Sequence, residues 1–304
     1  MELKTKVIAV VGPTASGKTD LAVELARRFN GEVISADSRQ VYTGLDIGTG
    51  KATKREMKGV PHYLLDVATP KRTMSVVQYE RLATRAICDI LKRGKIPIVC
   101  GGTGLYIDAV LTNTSFPAVP PNATLRRALA KLSTAELFKK LSSLDPERAE
   151  NIDAKNPHRL IRAIEIATVL GSVPSRKPAA LRYDTLIIGL TLPREKLGER
   201  IHARLLARMR RGMVAEAAKL HAGGLSWKRM EALGLEYRFL AQFLQGKLSK
   251  EDMLRELETA IRNYAKRQMV WFKRNKDIHW FDPASLDDRK KITSLADSFL
   301  QSEN

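Results

Sequence analysis

Val10–Ala26 reads VVGPTASGKTDLAVELA. A β-rich apolar run, 6–11, ends at Gly12. Small and polar residues follow, and then Leu21, Leu25 and Ala26 recur at helical spacing. The pattern Gly12-x4-Gly17-Lys18-Thr19 therefore stands between a strand and a helix. In that context a glycine-rich loop turns its backbone N–H groups onto phosphate oxygens. The glycines let the chain curl, the helix N-terminus adds partial positive charge, and Lys18 adds a full one. The Thr19 hydroxyl stands where it can ligate Mg2+. Gly12, Pro13, Thr14, Ala15, Ser16, Gly17, Lys18 and Thr19 are thus the candidate phosphate cradle. The loop alone leaves open what the phosphate is attached to. Most such loops bind a nucleoside triphosphate and break or transfer its γ-phosphate.

The segments GEVISAD (31–37), HYLLDV (62–67) and KIPIVCGG (95–102) read as further short strands. Helical patterns lie between them, the clearest over 75–92. Such alternation predicts a parallel sheet covered on both faces, an α/β core of P-loop NTPase-like type. Near SFPAVPPNATLRR (115–127) three prolines interrupt it. From 122 to about 175 only helical periodicity remains, with a capping box at Ser133 and Glu136 and a stop at Gly171 and Pro174. YDTLIIGLTL (183–192) returns to strand character. Residues 116–182 therefore read as a helical insertion domain in a core built from 1–115 and 183–304. The rest is a helical C-terminal part, over 194–211, 213–222, 234–245 and 249–275, then DIHWFD (277–282) and a closing helix.

The 304 residues carry 52 Lys plus Arg against 33 Asp plus Glu, a formal charge of +19. A polyanionic partner would use that excess, because phosphate contacts release counterions. The two cysteines, Cys88 and Cys100, form neither a metal spacing nor a disulfide framework, which suits a reducing compartment. The N-terminal apolar run is too short for a signal peptide, and no stretch is long enough to span a membrane. The expectation is a cytoplasmic protein. No two of the five histidines stand at metal-ligand spacing, so no zinc site is expected.

Two further motifs fall at the carboxyl edge of the predicted sheet, where open α/β sheets bind ligands. Asp37 and Ser38 follow the second strand, and a carboxylate facing a phosphate-lined pocket can act as general base. Asp37 and Asp66 are also the candidate carboxylates for magnesium. Gly44, Gly48 and Gly50 make an irregular loop beyond them. In CGGTGLY (100–106) Thr103 opens a helix, with its hydroxyl and amide expected to point at the site and the glycines beside it to admit a ligand. Basic residues gather elsewhere. HRLIR puts His158, Arg159 and Arg162 on part of one face, Arg126 and Arg127 stand near the start of the insertion, and RNYAKRQMVWFKRNK (262–276) has six basic residues and no acid. Together they suggest a surface for a phosphodiester backbone. Trp271 and Phe272 fit core packing better than base stacking. Arg204 and Arg208 are one turn apart, and either could reach the phosphate pocket.

The motifs GPTASGKT, ISADSRQVYTGLDIGTGK, GGTGLY, NPHRLIRAIEI, PREKLGERIHARLLARM and YAKRQMVWF, in this order, resemble the bacterial tRNA dimethylallyltransferases along essentially the whole chain. The resemblance implies transfer of a dimethylallyl group from its diphosphate to N6 of the adenosine 3′ of the anticodon, in tRNAs reading codons that start with U. It makes residues 12–19 a grip for a departing diphosphate, with Mg2+ at Thr19. Lys18 and Arg204 would neutralise the developing charge, Asp37 would take the proton, and Thr103 would bond near the reacting centre. Contacts to tRNA are implied for Asp37, Ser38, Arg39, Gln40, Thr103, Arg126, His158, Arg159, Leu160, Ile161 and Arg162. The insertion becomes a mobile clamp on the anticodon stem-loop of a monomeric enzyme. A P-loop kinase of a small metabolite and an RNA-binding NTPase are the competing classes.

Overall fold

The structure, a computed structural model, describes residues 5–175 and 180–302. Six strands form one sheet in the order β3-β2-β4-β1-β5-β6: β1 Lys6–Val11, β2 Gly31–Ser35, β3 His62–Tyr63, β4 Ile96–Gly101, β5 Asp184–Leu190 and β6 Ile278–Phe281. Every pairing is parallel. β1 runs down the middle, with Val10 opposite Cys100 of β4 on one side and Ile188 of β5 on the other. Its alternation explains why it is apolar from Val7 to Val11. Val7, Ala9 and Val11 enter one core layer, and Ile8 and Val10 enter the layer on the opposite face. A strand covered on both faces needs apolar residues at every position.

The first layer is covered by α3 (Val76–Lys92), α4 (Gly104–Leu111), α9 (Arg194–Arg210), α10 (Met213–Ala222), α11 (Trp227–Glu231), α12 (Leu235–Leu244) and α13 (Lys250–Phe272). The second is covered by α1 (Lys18–Arg28) and α14 (Leu286–Gln301). A short α2 (Lys54–Met57), closed by a capping box from Thr53 to Glu56, was not legible in the sequence. The third strand is shorter than the expected 62–67. It stops after Tyr63 because Leu64 and Asp66 take left-handed backbone, with φ of 64° and 57°.

Thr114–Ala180 is a compact unit distinct from the remainder. It consists of α5 (Ala123–Leu129), α6 (Thr134–Leu144), α7 (Pro146–Glu150) and α8 (Pro157–Leu170). Leu129, Leu137, Leu141, Ala149, Leu160, Ala163 and Ile164 give it a core of its own. Ser133 and Glu136 form the capping box of α6, and α8 ends at Gly171.

At the start of β2, away from the carboxyl edge, Glu32 is 1% exposed and accepts both Arg93 nitrogens (2.6 Å each) and Lys95 Nζ (2.7 Å). The Arg93 hydrogen bonds, against burial and with help from Lys95 and Tyr63, hold its carboxyl down to about 2.

Candidate active site

The strand order puts the loops that follow β2, β4 and β1 side by side at the carboxyl edge of the sheet. The loop after β1 is the glycine-rich one. Gly12, Ala15 and Gly17 have φ of 145°, 64° and 93°, and this run of positive φ bends the loop back on itself. The result is a nest of converging amides at the start of α1. Among the described residues the N–H groups of Ala15, Gly17, Lys18 and Thr19 have no protein acceptor. Gly12 also has no room for a side chain, since a Cβ would stand 2.5 Å from the Leu190 carbonyl oxygen. Thr14 departs from the expected grip: its N–H is given to Gln268 Oε1 at 2.8 Å. Lys18 Nζ donates to the Pro13 carbonyl at 2.6 Å. Burial pulls its pKa down to about 8. Nearby Cys100 and Asp37 oppose that fall, and Arg204 deepens it.

Asp37 stands just past β2. Its Oδ1 accepts the N–H of Arg39 (2.8 Å) and of Gln40 (3.4 Å), an Asx turn that leaves Oδ2 without a protein partner among the described residues. Thr103 Oγ1 accepts the Ser38 N–H at 3.0 Å and therefore does not cap α4. Its own N–H goes to the Ala36 carbonyl (3.2 Å), so only the hydroxyl serves the site, and the expected amide contact is absent. Tyr264 lies beside Thr103; burial, and then the charge of Asp37, raises its phenol to about 12.

The glycines around Thr103 also make room for the protein itself. A Cβ at Gly101 would meet the Ala36 carbonyl oxygen at 2.1 Å, one at Gly102 the Gln268 amide at 2.2 Å, and one at Gly104 the Trp271 ring at 2.1 Å. Phe272 is buried in the core, and Trp271 is half-buried beneath the Arg274 guanidinium, 4.1 Å from the ring centroid.

Arg204 and Arg208 of α9 take separate roles. Arg208 Nη1 donates to the Gly48 carbonyl (3.1 Å) and to Glu236 Oε1 (3.3 Å), and its guanidinium fills the space a side chain at Gly50 would need. Arg204 has no hydrogen bond or ion pair among the described residues. It is open to solvent yet sunk among protein atoms, and desolvation, then the charge of Arg208, pulls it down to about 10. Burial raises the Glu236 carboxyl against the pull of Arg208, and Asp37 raises it further. Glu216 on α10 fixes the loop beneath. It accepts the N–H groups of Asp46, Ile47 and Gly48 at 3.0, 2.7 and 2.9 Å and the Tyr237 hydroxyl at 2.6 Å. Gln40 reaches the same loop through the Gly50 carbonyl (3.3 Å). Asp66, one of the two candidate magnesium carboxylates, is tied instead to Lys51.

The donor set fits magnesium. The Thr19 hydroxyl has no protein partner among the described residues, and the Ser16 hydroxyl is buried without one. Among the described residues no three Asp, Glu, His or Cys side chains cluster. One hydroxyl beside a phosphate cradle suits Mg2+, which takes most of its ligands from substrate phosphates and water.

In the insertion unit, Glu165 is 1% exposed and accepts Arg126 Nε (2.7 Å) and Nη2 (2.6 Å), Arg162 Nη1 (3.1 Å) and the Asn122 N–H (2.8 Å). Arg126 and Arg162 are therefore structural as well as cationic. Leu160, expected to touch RNA, is wholly buried in the unit's core, and Ile161 packs against that core. The apolar face of α8 has to turn inward. The stretch presents His158, Arg159 and the outer edge of Arg162.

Sequence reasoning did not single out Glu216, Tyr264 or Gln268 as site residues. Gln268 had one visible signal: it is the lone polar residue among those α13 buries.

Comparison with known proteins finds relatives along nearly the whole chain. The tRNA dimethylallyltransferase 1 of Geotalea daltonii is 44% identical over 283 residues, 92% of this chain and 91% of that one. The crystal structure of the tRNA isopentenylpyrophosphate transferase from Bacillus halodurans superposes with a TM-score of 0.75 at 37% identity, covering 98% and 97% of the two chains. A eukaryotic dimethylallyltransferase acting on tRNA superposes at 0.81 with 26% identity, covering 99% of this chain and 80% of that one. The profile of the IPP transferase family matches residues 40–275, and the chain belongs to that family.

Proposed function

We propose that the protein transfers a dimethylallyl group from dimethylallyl diphosphate to N6 of the adenosine 3′-adjacent to the anticodon of tRNAs reading codons that begin with U. The observation that carries this reading is the glycine-rich loop with its unpaired amides at the sheet edge where Asp37 keeps Oδ2 free of protein partners among the described residues. Lys18 belongs to that loop, and Arg204, without a protein partner among the described residues, is within electrostatic range of it. A base and two cations around one cradle suit a reaction in which a nucleophile loses a proton while an anion departs.

In this reading the amides of Ala15, Gly17, Lys18 and Thr19 hold the diphosphate. The N6–C1 bond forms as the C1–O bond breaks, and the electron pair leaves with the diphosphate. Lys18 and Arg204 stabilise that growing charge. Asp37 Oδ2 takes the N6 proton, its turn to Arg39 and Gln40 holding the carboxylate in place. The Thr103 hydroxyl steadies the Ser38 backbone beside it. Thr19 would hold Mg2+, which when bound supplies further charge neutralisation on the diphosphate. Adenosine has to leave its stack to reach such a site. Arg126, His158, Arg159 and Arg162 of the insertion would meet tRNA phosphates, as would the basic residues of α13. Among the described residues no helix is long and apolar enough to cross a membrane, and the enzyme would act as a monomer in the cytoplasm, where its tRNA is.

Incubation with unmodified tRNA, Mg2+ and dimethylallyl diphosphate should raise the tRNA mass by one C5H8 unit, located by nuclease mapping at that adenosine. No gain, together with ATP hydrolysis, would overturn the reading in favour of an NTPase.

A further inference from the structure

α13 buries Met253, Leu257, Ile261, Ala265, Gln268 and Phe272, so a primary amide sits in an otherwise apolar stripe. Gln268 is 6% exposed. Its Oε1 accepts the Thr14 N–H at 2.8 Å, and its Nε2 donates to the Gly102 carbonyl at 2.8 Å. One side chain thus joins the loop after β1 to the loop after β4. The ladder between those strands ends at the pair Val11 and Gly101. Past that pair Gln268 supplies the hydrogen bonds that the sheet no longer does. Gly102 precedes Thr103, whose hydroxyl holds Ser38 beside Asp37. The line from cradle to base therefore runs Thr14, Gln268, Gly102, Thr103, Ser38, Asp37.

We propose that Gln268 is a positioning residue that fixes the span between the diphosphate cradle and the Asp37–Thr103 pair, and so governs turnover after both substrates are bound. The inference rests on the transfer reaction proposed above. The groups at the two ends of Gln268 are opposite in kind, a donor at Thr14 and an acceptor at Gly102. Among side chains of this length and shape, an amide or a protonated carboxylic acid satisfies both. An ionised carboxylate would set a negative oxygen against the Gly102 carbonyl.

That asymmetry gives a readout that packing alone would not move. Gln268→Glu and Gln268→Met are to be compared with wild type in single-turnover tRNA prenylation from pH 6 to pH 9. Dissociation constants for tRNA and for an unreactive alkyl diphosphate are measured in parallel. Gln268→Met should lose about tenfold or more in rate at every pH, the scale of leaving buried hydrogen-bonding groups unmet, with both dissociation constants within about threefold of wild type. Burial at this position and the facing Gly102 carbonyl raise the introduced acid well above its ordinary value of about 4.3, so Gln268→Glu should lose as much at pH 9 and recover toward wild type as the pH falls to 6 and the acid regains a proton to donate. If Gln268→Met fails to fold, the pH-dependent ratio of Gln268→Glu to wild type decides alone. A wild-type rate in Gln268→Met, a loss confined to substrate affinity, or a Gln268→Glu ratio that does not change with pH would overturn the proposal. A wild type that transfers no C5 group would overturn the underlying reaction, an outcome distinct from all three because the variants play no part in it.

Discussion

Lys18 should make diphosphate binding depend on pH in a window set by its surroundings. Burial pulls the ammonium from its ordinary 10.5 to about 8; Cys100 and Asp37 oppose this and Arg204 adds to it. A diphosphate laid along the loop supplies the charge that burial removed, so the bound-state pKa rises. The sign follows by linkage. Below pH 8 the free protein already carries the proton, binding takes none up, and the dissociation constant is flat. Above pH 8 each binding event takes up one proton, and affinity falls about tenfold per pH unit until the bound-state pKa is reached. The drop from 10.5 to about 8 amounts to about 3 kcal/mol at 1.36 kcal/mol per factor of ten. At pH 9.5, below the value of about 10 for Arg204, roughly thirtyfold of affinity should be gone through Lys18. The ligand is an unreactive alkyl diphosphate, whose last proton is lost near pH 6 as in a phosphate ester. Titration calorimetry in two buffers of different ionisation enthalpy reads the uptake directly, near zero at pH 7 and approaching one proton at pH 9.5. Lys18→Arg stays charged and should bind with no such dependence. A wild-type affinity that is flat from pH 7 to pH 9.5, or the same decline in Lys18→Arg, would refute the assignment.

Asp37→Ala should lower kcat by roughly a hundredfold or more, the scale for losing a general base, while alkyl diphosphate affinity measured by calorimetry holds. Arg204→Ala should lose roughly a hundredfold or more in turnover with an unchanged melting temperature, because its guanidinium has no protein partner and acts on developing charge. Arg208→Ala should instead destabilise the fold by about 2 kcal/mol in urea titrations, since it strands the half-buried Glu236. Glu32→Gln should lose about 2 kcal/mol of stability at pH 7, allowing for screening at the exposed Arg93, with kcat intact. The Glu32 carboxyl is depressed to about 2 on folding, so its contribution is full above its unfolded pKa and fades as pH falls toward 2. The difference between the two proteins in urea should close on the same path. Arg159→Ala should weaken tRNA binding uniformly across sequences and reduce the slope of log affinity against log salt by about 1.

The glycine-rich loop and its place between a strand and a helix were legible because its residue types stand at fixed spacing. The strands were legible where both faces are buried, as in β1 and β5, and least so at the sheet edge. There His62–Val67 has strand composition, but Leu64 and Asp66 turn the chain. Asp37 and Thr103 could be placed at one edge from topology alone. Their bonds could not, since whether Thr103 caps its helix or serves Ser38 depends on how close two loops come. Glu216, Glu236 and Gln268 act through contacts between distant segments, and a carboxylate on an amphipathic helix looks the same whether it clamps a loop or faces water. Gly102 and Gly104 illustrate the same limit: their spacing was visible, but the helix they make room for lies more than 150 residues away.

The pairing of β1 with β5 bears on how the chain is made. Lys6 lies opposite Asp184, so the middle of the sheet joins the beginning of the chain to a strand synthesised after the whole insertion. During synthesis, β1 can take β4 on one side while its other edge stays open, a row of unpaired amides and carbonyls that invites pairing with another chain. The insertion has its own buried leucines and can compact in that interval. The phosphate loop extends from β1, and a Cβ at Gly12 would strike Leu190 of β5. The loop therefore gains its final wall only when that late strand arrives, and a released fragment ending before residue 184 would carry the cradle sequence without the strand that completes it.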